Sequence, residues 1–260
     1  MVERTGTADP VRVIPLLWGH GRAPGRSRLS LDVVVDAGIA IADEVGLEQV
    51  SMRKIADRLE VGAMSLYAHV PGKAELIELM VDSVLGQVQY EPDRHDPARW
   101  RAEMEEIAEK NWELLTRHSW LLDIDTTRPP LGPGTIGKYD AELHALIGTG
   151  LDDVEIDQVL GLVLEHVRSS ARQFRAAEAL ATKAAEGSDR DWWDRAGPLL
   201  AGVMDAQNYP HASRIGASAG QEYDAPSDPR RAYAFGLHTL LTGVEALIAH
   251  RSSGAPSGQE

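Results

Sequence analysis

Between Ser30 and Lys73 the chain is punctuated so densely that only short helices fit, and few ways of packing them are left. Ser30 is suited to cap a helix, with Asp32 in the first turn, where a negative charge complements the helix dipole. Leu31, Val34, Val35, Gly38, Ile41 and Val45 then share one helical stripe, which Gly46 ends. Ser51 caps a second helix with the apolar face Met52, Ile55, Ala56 and Leu59. Glu60-Val61-Gly62 makes a tight turn, and Pro71-Gly72 stops the third helix soon after, because the residue before a proline avoids helical geometry. Three short helices in about 45 residues, with a three-residue turn between the second and third, match a helix-turn-helix. Ala56, Val61 and Leu66 are the small or apolar residues able to fill the angle of that turn.

In such a motif the third helix faces a DNA major groove, the groove whose base edges are fully distinguishable. The residues so presented are Ala63, Met64 and Ser65, then Tyr67 and His69. Ser65 can hydrogen-bond a base or a phosphate, Ala63 and Met64 offer apolar surface to thymine methyls, and Tyr67 and His69 suit phosphate oxygens. Lys73 can add a charge-assisted phosphate contact. Ser51, Arg53 and Lys54 stand at the start of the second helix, where it crosses the DNA backbone. The same residues admit a purely structural reading, with Tyr67 packing between helices and His69 capping one. Net basicity does not discriminate, since Arg26 to Lys73 holds six basic and seven acidic residues. The spacing of the motif is what points to DNA.

Beyond the motif the chain reads as all-α. A fourth helix starts near Lys73, with Leu76, Ile77, Met80, Val84 and Val88 inward. Further helices are expected at 100–116, 136–147, 153–185 and 191–206, and from about Pro229 to His250, with 126–137 a loop and 187–228 otherwise irregular. Four parts follow: a flexible basic arm at 1–28, a DNA-binding domain at 29–75, a ligand-binding and dimerisation domain at 76–250, and a disordered tail at 251–260. Zero cysteines exclude disulfides and thiolate metal sites and fit a cytoplasmic protein. The formal net charge of −14 argues against coating nucleic acid or anionic membrane along the whole surface, but not against a local reading head. No segment is expected to span a membrane.

The run from Ser51-Met-Arg-Lys-Ile-Ala56 through Val61, Leu66-Tyr67, His69 and Lys73 to Leu76 resembles the signature of the TetR family of repressors. Two positions depart from it. Glu60 stands where the family usually has Gly, in a turn that tends to need positive φ, at a cost of about 1 kcal/mol. Val70 replaces the common Phe, as it does in the tetracycline-repressor branch. Trp112-Glu-Leu-Leu to Thr127-Arg128-Pro129, and Ala234-Phe-Gly-Leu to Val244-Glu245, are similar to the ligand domain of that branch. The resemblance implies a homodimer on double-stranded operator DNA, released by a small-molecule effector. It maps ligand-facing positions onto Gln89, Ile107, Asn111, Ile124, Arg128 and Glu142. Ile124 replaces a metal-holding histidine of the branch, so the effector implied is something other than a metal-chelated tetracycline, and no metal or cofactor is expected.

Two short patterns suggest enzymes and do not hold up. Gly132-Pro-Gly134-Thr-Ile-Gly137 matches a dinucleotide fingerprint, but no strand leads into it. Gly216-Ala-Ser218-Ala-Gly220 matches a nucleophile elbow, again without a strand, and reads as a flexible loop. The nine histidines show no metal spacing, and His144 and His166 are better core residues than ligands. No nucleophile, base and oxyanion hole assemble, so the chain is expected to be no enzyme. A transcriptional activator or a ligand-independent DNA binder of the same fold are the rival readings. Dimerisation is expected through the 153–185 and 229–250 helices. Gly236 and Gly243, seven apart on the last helix, either admit a close partner or merely interrupt packing.

Overall fold

Short polar side chains open the first helices. In the computed structural model, which describes residues 3–19, 29–90, 96–182, 189–223, 225 and 227–252, the Asp9 carboxylate accepts the Val11 N–H at 3.0 Å and starts α1, Pro10–Leu17. Ser30 accepts from Val33 N–H at 3.3 Å and starts α2, Leu31–Val45. Ser51 accepts from Lys54 N–H at 3.3 Å and starts α3, Met52–Leu59. Each cap satisfies an N–H that a helix start leaves without a partner and contributes about 1 kcal/mol. The chain continues through α4, Ala63–Tyr67, α5, Lys73–Leu85, α6, Trp100–Arg117, and α7, Pro133–His144. Then come α8, Asp153–Ala181, α9, Asp189–Val203, α10, Pro210–Tyr223, and α11, Pro229–Ser252. Among the described residues the strand content is β1, Glu3–Arg4, paired in parallel with β2, Ile124–Asp125. The fold is all-α, as the sequence implies.

Contacts group the residues into two units, 1–164 with 244–260, and 165–243. In the first, α2, α3 and α4 enclose Val34, Ile41, Ala42, Leu47, Ile55, Ala56, Leu66 and Val70, all buried. Val45, placed on the inward stripe by periodicity, is 55% exposed, because the chain turns at Gly46 and Leu47 fills the space instead. Glu60 occupies the left-handed region at φ 56°, ψ 40° and ends α3, the conformation its place in the turn requires.

The reading of residues 1–28 as a flexible arm does not hold for 3–17. Val13 and Leu17 of α1 and the preceding Ala8 are buried, and α1 packs on α5. The segment is too short and too interrupted by Pro15 to show as a periodic pattern, and its docking depends on a partner far along the chain. Residues 20–28 of the expected arm, and 253–260 of the expected tail, lie outside the described residues.

Helix α5 is buried nearly all round, including Glu75, Glu78 and Asp82. Asp82 Oδ1 accepts Thr135 N–H at 2.7 Å and Thr135 Oγ1–H at 2.8 Å, and Oδ2 accepts Gly134 N–H at 3.2 Å. The glycine-rich run at 132–137 is therefore the start of α7, with its free N–H groups occupied by a carboxylate of the same chain. Gly132 and Gly134 lie so close to Asp82 that a Cβ on either would overlap it.

In the second unit His166 on α8 stacks on Tyr233 of α11 at 5.8 Å, and its Nε2 lies 2.9 Å from the Tyr233 carbonyl oxygen. Gly236 is covered by that imidazole, so it serves packing within the chain, whereas a Cβ on Gly243 would meet nothing within 4 Å among the described residues. Ser218 lies in the middle of α10 and donates to the Arg214 carbonyl at 3.1 Å, which corrects the flexible loop expected there. Helix α10 escapes a reading by periodicity because it buries no residue of its own. One helix among the described residues, Pro229–Arg251, is long and apolar enough to cross a membrane by length and composition, with mean hydropathy 1.3.

Two substitutions test the glycine geometry of α7. Gly134→Ala should destabilise the chain by about 1–3 kcal/mol through overlap with α5. Gly137→Ala, where a Cβ meets nothing within 4 Å, should stabilise it by roughly 0.5–1 kcal/mol through helix propensity. Urea unfolding followed by circular dichroism decides, and equal effects would refute the close approach.

Candidate nucleic-acid interface and effector site

The surface of α4 follows from its single inward residue. Leu66 is fully buried under α3, so the other side chains of this short helix must point outward. Ala63, Met64, Ser65 and Tyr67 are exposed, Met64 at 80% and Tyr67 at 47%. Met64 and Tyr67 therefore offer apolar and aromatic surface on the outer face of this helix. His69 is half-buried. Arg53 and Lys54 are exposed on α3, Lys54 bonded to Gln49, and Ser51 is half-buried as the cap. Lys73, half-exposed at the first turn of α5, pairs with Glu3 Oε1 at 2.7 Å. Arg58 and Glu44 make a two-pronged pair at 2.8 and 2.6 Å that ties α3 to α2.

Of the six positions mapped as ligand-facing, the structure brings three together. Asn111 Nδ2 donates to Glu142 Oε1 at 2.6 Å and to the Ile107 carbonyl at 2.9 Å. All three residues are buried. Tyr90 and Lys138, which sequence reasoning missed, complete the cluster. The Tyr90 hydroxyl donates to Glu142 Oε1 at 2.7 Å, and Lys138 Nζ reaches the two Glu142 oxygens at 2.6 and 2.7 Å. Burial holds the Lys138 ammonium below the usual lysine range despite the pull of Glu142. Burial, then the Glu142 charge, pushes the Tyr90 phenol well above its ordinary value. The four-residue spacing of Lys138 and Glu142 on a helix was the available signal.

The other three positions lie differently. Gln89 is exposed, its side-chain amide donating to the Gly86 carbonyl at 3.1 Å and its backbone carbonyl accepting from Lys110 Nζ at 2.7 Å. Ile124 is buried in β2, and Arg128 is exposed with its carbonyl accepting Thr5 Oγ1–H at 2.7 Å. A cleft of about 440 Å³ opens elsewhere, where Trp18, Val35, Leu79 and Pro133 face one another. Among the described residues no group of three metal-ligating side chains occurs.

A polar contact joins the segment after α6 to α2. Asp43 on α2 lies 2.9 Å from His118 Nδ1 and accepts Trp120 Nε1–H at 2.8 Å. His118 and Trp120 follow directly on α6, the helix that carries Ile107 and Asn111. Nothing in the sequence pattern marks this contact, since its partners are more than 70 residues apart.

Comparison with known proteins agrees across both halves. Residues 34–80 match the family described as bacterial regulatory proteins, tetR family, and residues 91–248 match the tetracyclin repressor-like C-terminal domain. The HTH-type transcriptional repressor DrrR1 of Streptomyces coeruleorubidus is 35% identical over 96% of this chain and 90% of its own. The tetracycline repressor protein class E of Escherichia coli is 24% identical over 85% of this chain and 93% of its own. The crystal structure of the Streptomyces coelicolor TetR family protein ActR in complex with actinorhodin superposes with TM-score 0.70 at 25% identity, covering 85% of this chain and 97% of that one.

Breaking the buried pair should be expensive. Lys138→Met alone should destabilise the chain by about 3–5 kcal/mol, because it leaves the Glu142 charge without its counter-ion. Adding Glu142→Gln, which keeps an acceptor for Tyr90 and Asn111, should recover most of that loss. Urea titration of both variants measures it, and a silent Lys138→Met would show that the charge is not buried.

Proposed function

Because the chain belongs to the TetR family of bacterial regulatory proteins, we propose that it is a ligand-responsive repressor that binds a palindromic operator as a homodimer. The observation that carries this reading is the outward face of α4, where Ala63, Met64, Ser65 and Tyr67 stand clear of a helix anchored through Leu66 alone. Residues 29–75 are the DNA-binding part and 76–250 the ligand-binding and dimerisation part. Ala63, Met64 and Ser65 meet base edges, while Tyr67, His69, Lys73, Ser51, Arg53 and Lys54 meet the backbone. One such motif buries too little DNA to be specific, and two related by a dyad match an inverted repeat.

Helix α11 supports the dimer. It is apolar, yet only 22% of its most apolar stretch is buried within the chain. Phe235 at 73% and Leu247 at 36% are exposed on it, as are Val154 and Leu162 on α8. Apolar surface left open in this way calls for a second copy rather than for water.

The effector site is built around Ile107, Asn111 and Glu142, with Gln89, Ile124 and Arg128 as its further positions, and the ActR complex supports a small organic ligand in this fold. Release is a population shift. Two reading heads must stand about 34–36 Å apart to enter successive major grooves. A ligand favouring another spacing by roughly 1–3 kcal/mol would lower operator affinity about 5- to 150-fold. Helix α5 is the lever, with Lys73 at its first turn and Asp82 bonded to α7 near its last. Asp43 links α6 to α2 as a second path.

Selection of bound duplexes from a random pool tests the reading, and a purified chain that enriches no inverted repeat would overturn it. On the selected operator, Lys73→Ala should lower the slope of log affinity against log salt by about two, roughly one for each subunit, with dimerisation intact by ultracentrifugation. Asn111→Leu should shift the dose of effector needed for release and leave DNA affinity unchanged, with actinorhodin as the first compound screened. An unaltered dose–response would remove Asn111 from the site.

A further inference from the structure

Lys73, read above as a phosphate contact, is already engaged within its own chain. Glu3 Oε1 lies 2.7 Å from its Nζ, with the side chains 38% and 37% exposed. Glu3 is held there by backbone on two sides. On one side β1 pairs with β2 in the register Glu3 to Ile124 and Arg4 to Asp125, and Thr5 N–H donates to the Asp125 carbonyl at 3.1 Å. Thr5, itself 3% exposed, also donates through Oγ1 to the Arg128 carbonyl at 2.7 Å. On the other side Gly6 and Ala8 N–H donate to Glu78 Oε1 on α5 at 3.0 and 3.3 Å. Gly6, at φ +70°, lies against the Arg128 side chain so closely that a Cβ would overlap it. The segment 3–8 is thus a strap whose path delivers a carboxylate to the ammonium that faces DNA.

A phosphate and a carboxylate cannot share one ammonium without repelling each other, and the repulsion grows as water is excluded between protein and DNA. We propose that the strap Glu3–Ala8 is a built-in competitor of the operator: Glu3 takes the Lys73 ammonium in place of a phosphate, and the seating of the strap on β2 and Arg128 sets how strongly it competes. The inference rests on the reading of Lys73 as a phosphate contact. It also gives Ile124 and Arg128 a role that the buried cluster does not. Both hold the strap, so movement of residues 124–128 moves Glu3, and operator affinity responds to that segment without any tilt of α5.

The test uses the full chain and the operator selected from the random pool, with affinity measured across a range of salt. Glu3→Gln should bind more tightly by about two- to fivefold per subunit, the scale of one half-exposed ion pair, with a salt slope steeper by up to about two for the dimer. Gly6→Ala, which keeps the carboxylate but unseats the strap, should change affinity in the same direction. In a Lys73→Ala background Glu3→Gln should have no effect. A gain that persists in that background would show only the loss of a distant negative charge and would overturn the competitor. Equal affinity of Glu3→Gln and the unmodified chain overturns the strap alone. Failure of the unmodified chain to select any duplex overturns the operator reading and this one with it.

Discussion

Two carboxylates in the wall of α5 organise what surrounds them. Glu78 and Asp82 are 4% and 6% exposed, and a buried charge is tolerated only where donors meet it. The donors come from backbone of two segments far apart in the chain. Gly6 and Ala8 of the strap supply Glu78, and Gly134 and Thr135 at the start of α7 supply Asp82. Burial pushes the Glu78 carboxyl pKa above the ordinary glutamate value, while the Ala8 and Gly6 N–H groups pull it back. The strap and α7 are therefore docked on one helix by the same device, a side-chain anion meeting free N–H groups, and that helix begins at Lys73 beside the reading head.

The buried cluster of Tyr90, Asn111, Lys138 and Glu142 is organised differently. Here one carboxylate collects every donor, and the cation is a lysine whose burial is offset mainly by Glu142. Such a cluster contributes little net stability compared with apolar packing of the same volume, but it is expensive to leave half-made. That asymmetry suits an effector site.

Three physical links run between the reading head and the helices that carry the candidate effector positions. They are α5 itself, the contact of Asp43 with His118 and Trp120, and the strap that brings Glu3 to Lys73. The first is a rigid element and the other two are polar contacts between segments distant in sequence. They differ in what they convey: α5 and Asp43 carry orientation, whereas the strap carries charge to the atom that would meet a phosphate.

The sequence by itself determined the reading head. Caps at Ser30 and Ser51, the turn at Glu60 and the stop at Pro71 are local features, each settled by a few neighbouring residues, and the helices formed where those features put them. Periodicity likewise found most of α6, α8 and α11, because a helix with one apolar stripe advertises it every three to four residues. Tertiary structure alone decided the rest. The order of residues 3–17, the role of the glycines at 132–137 as a docking point for Asp82, the gathering of Tyr90 and Lys138 around Glu142, and the pairing of Glu3 with Lys73 join residues 4 to more than 120 positions apart. Each turns on a buried or half-buried polar group finding its partner, and a partner chosen by proximity in space leaves no period in the chain.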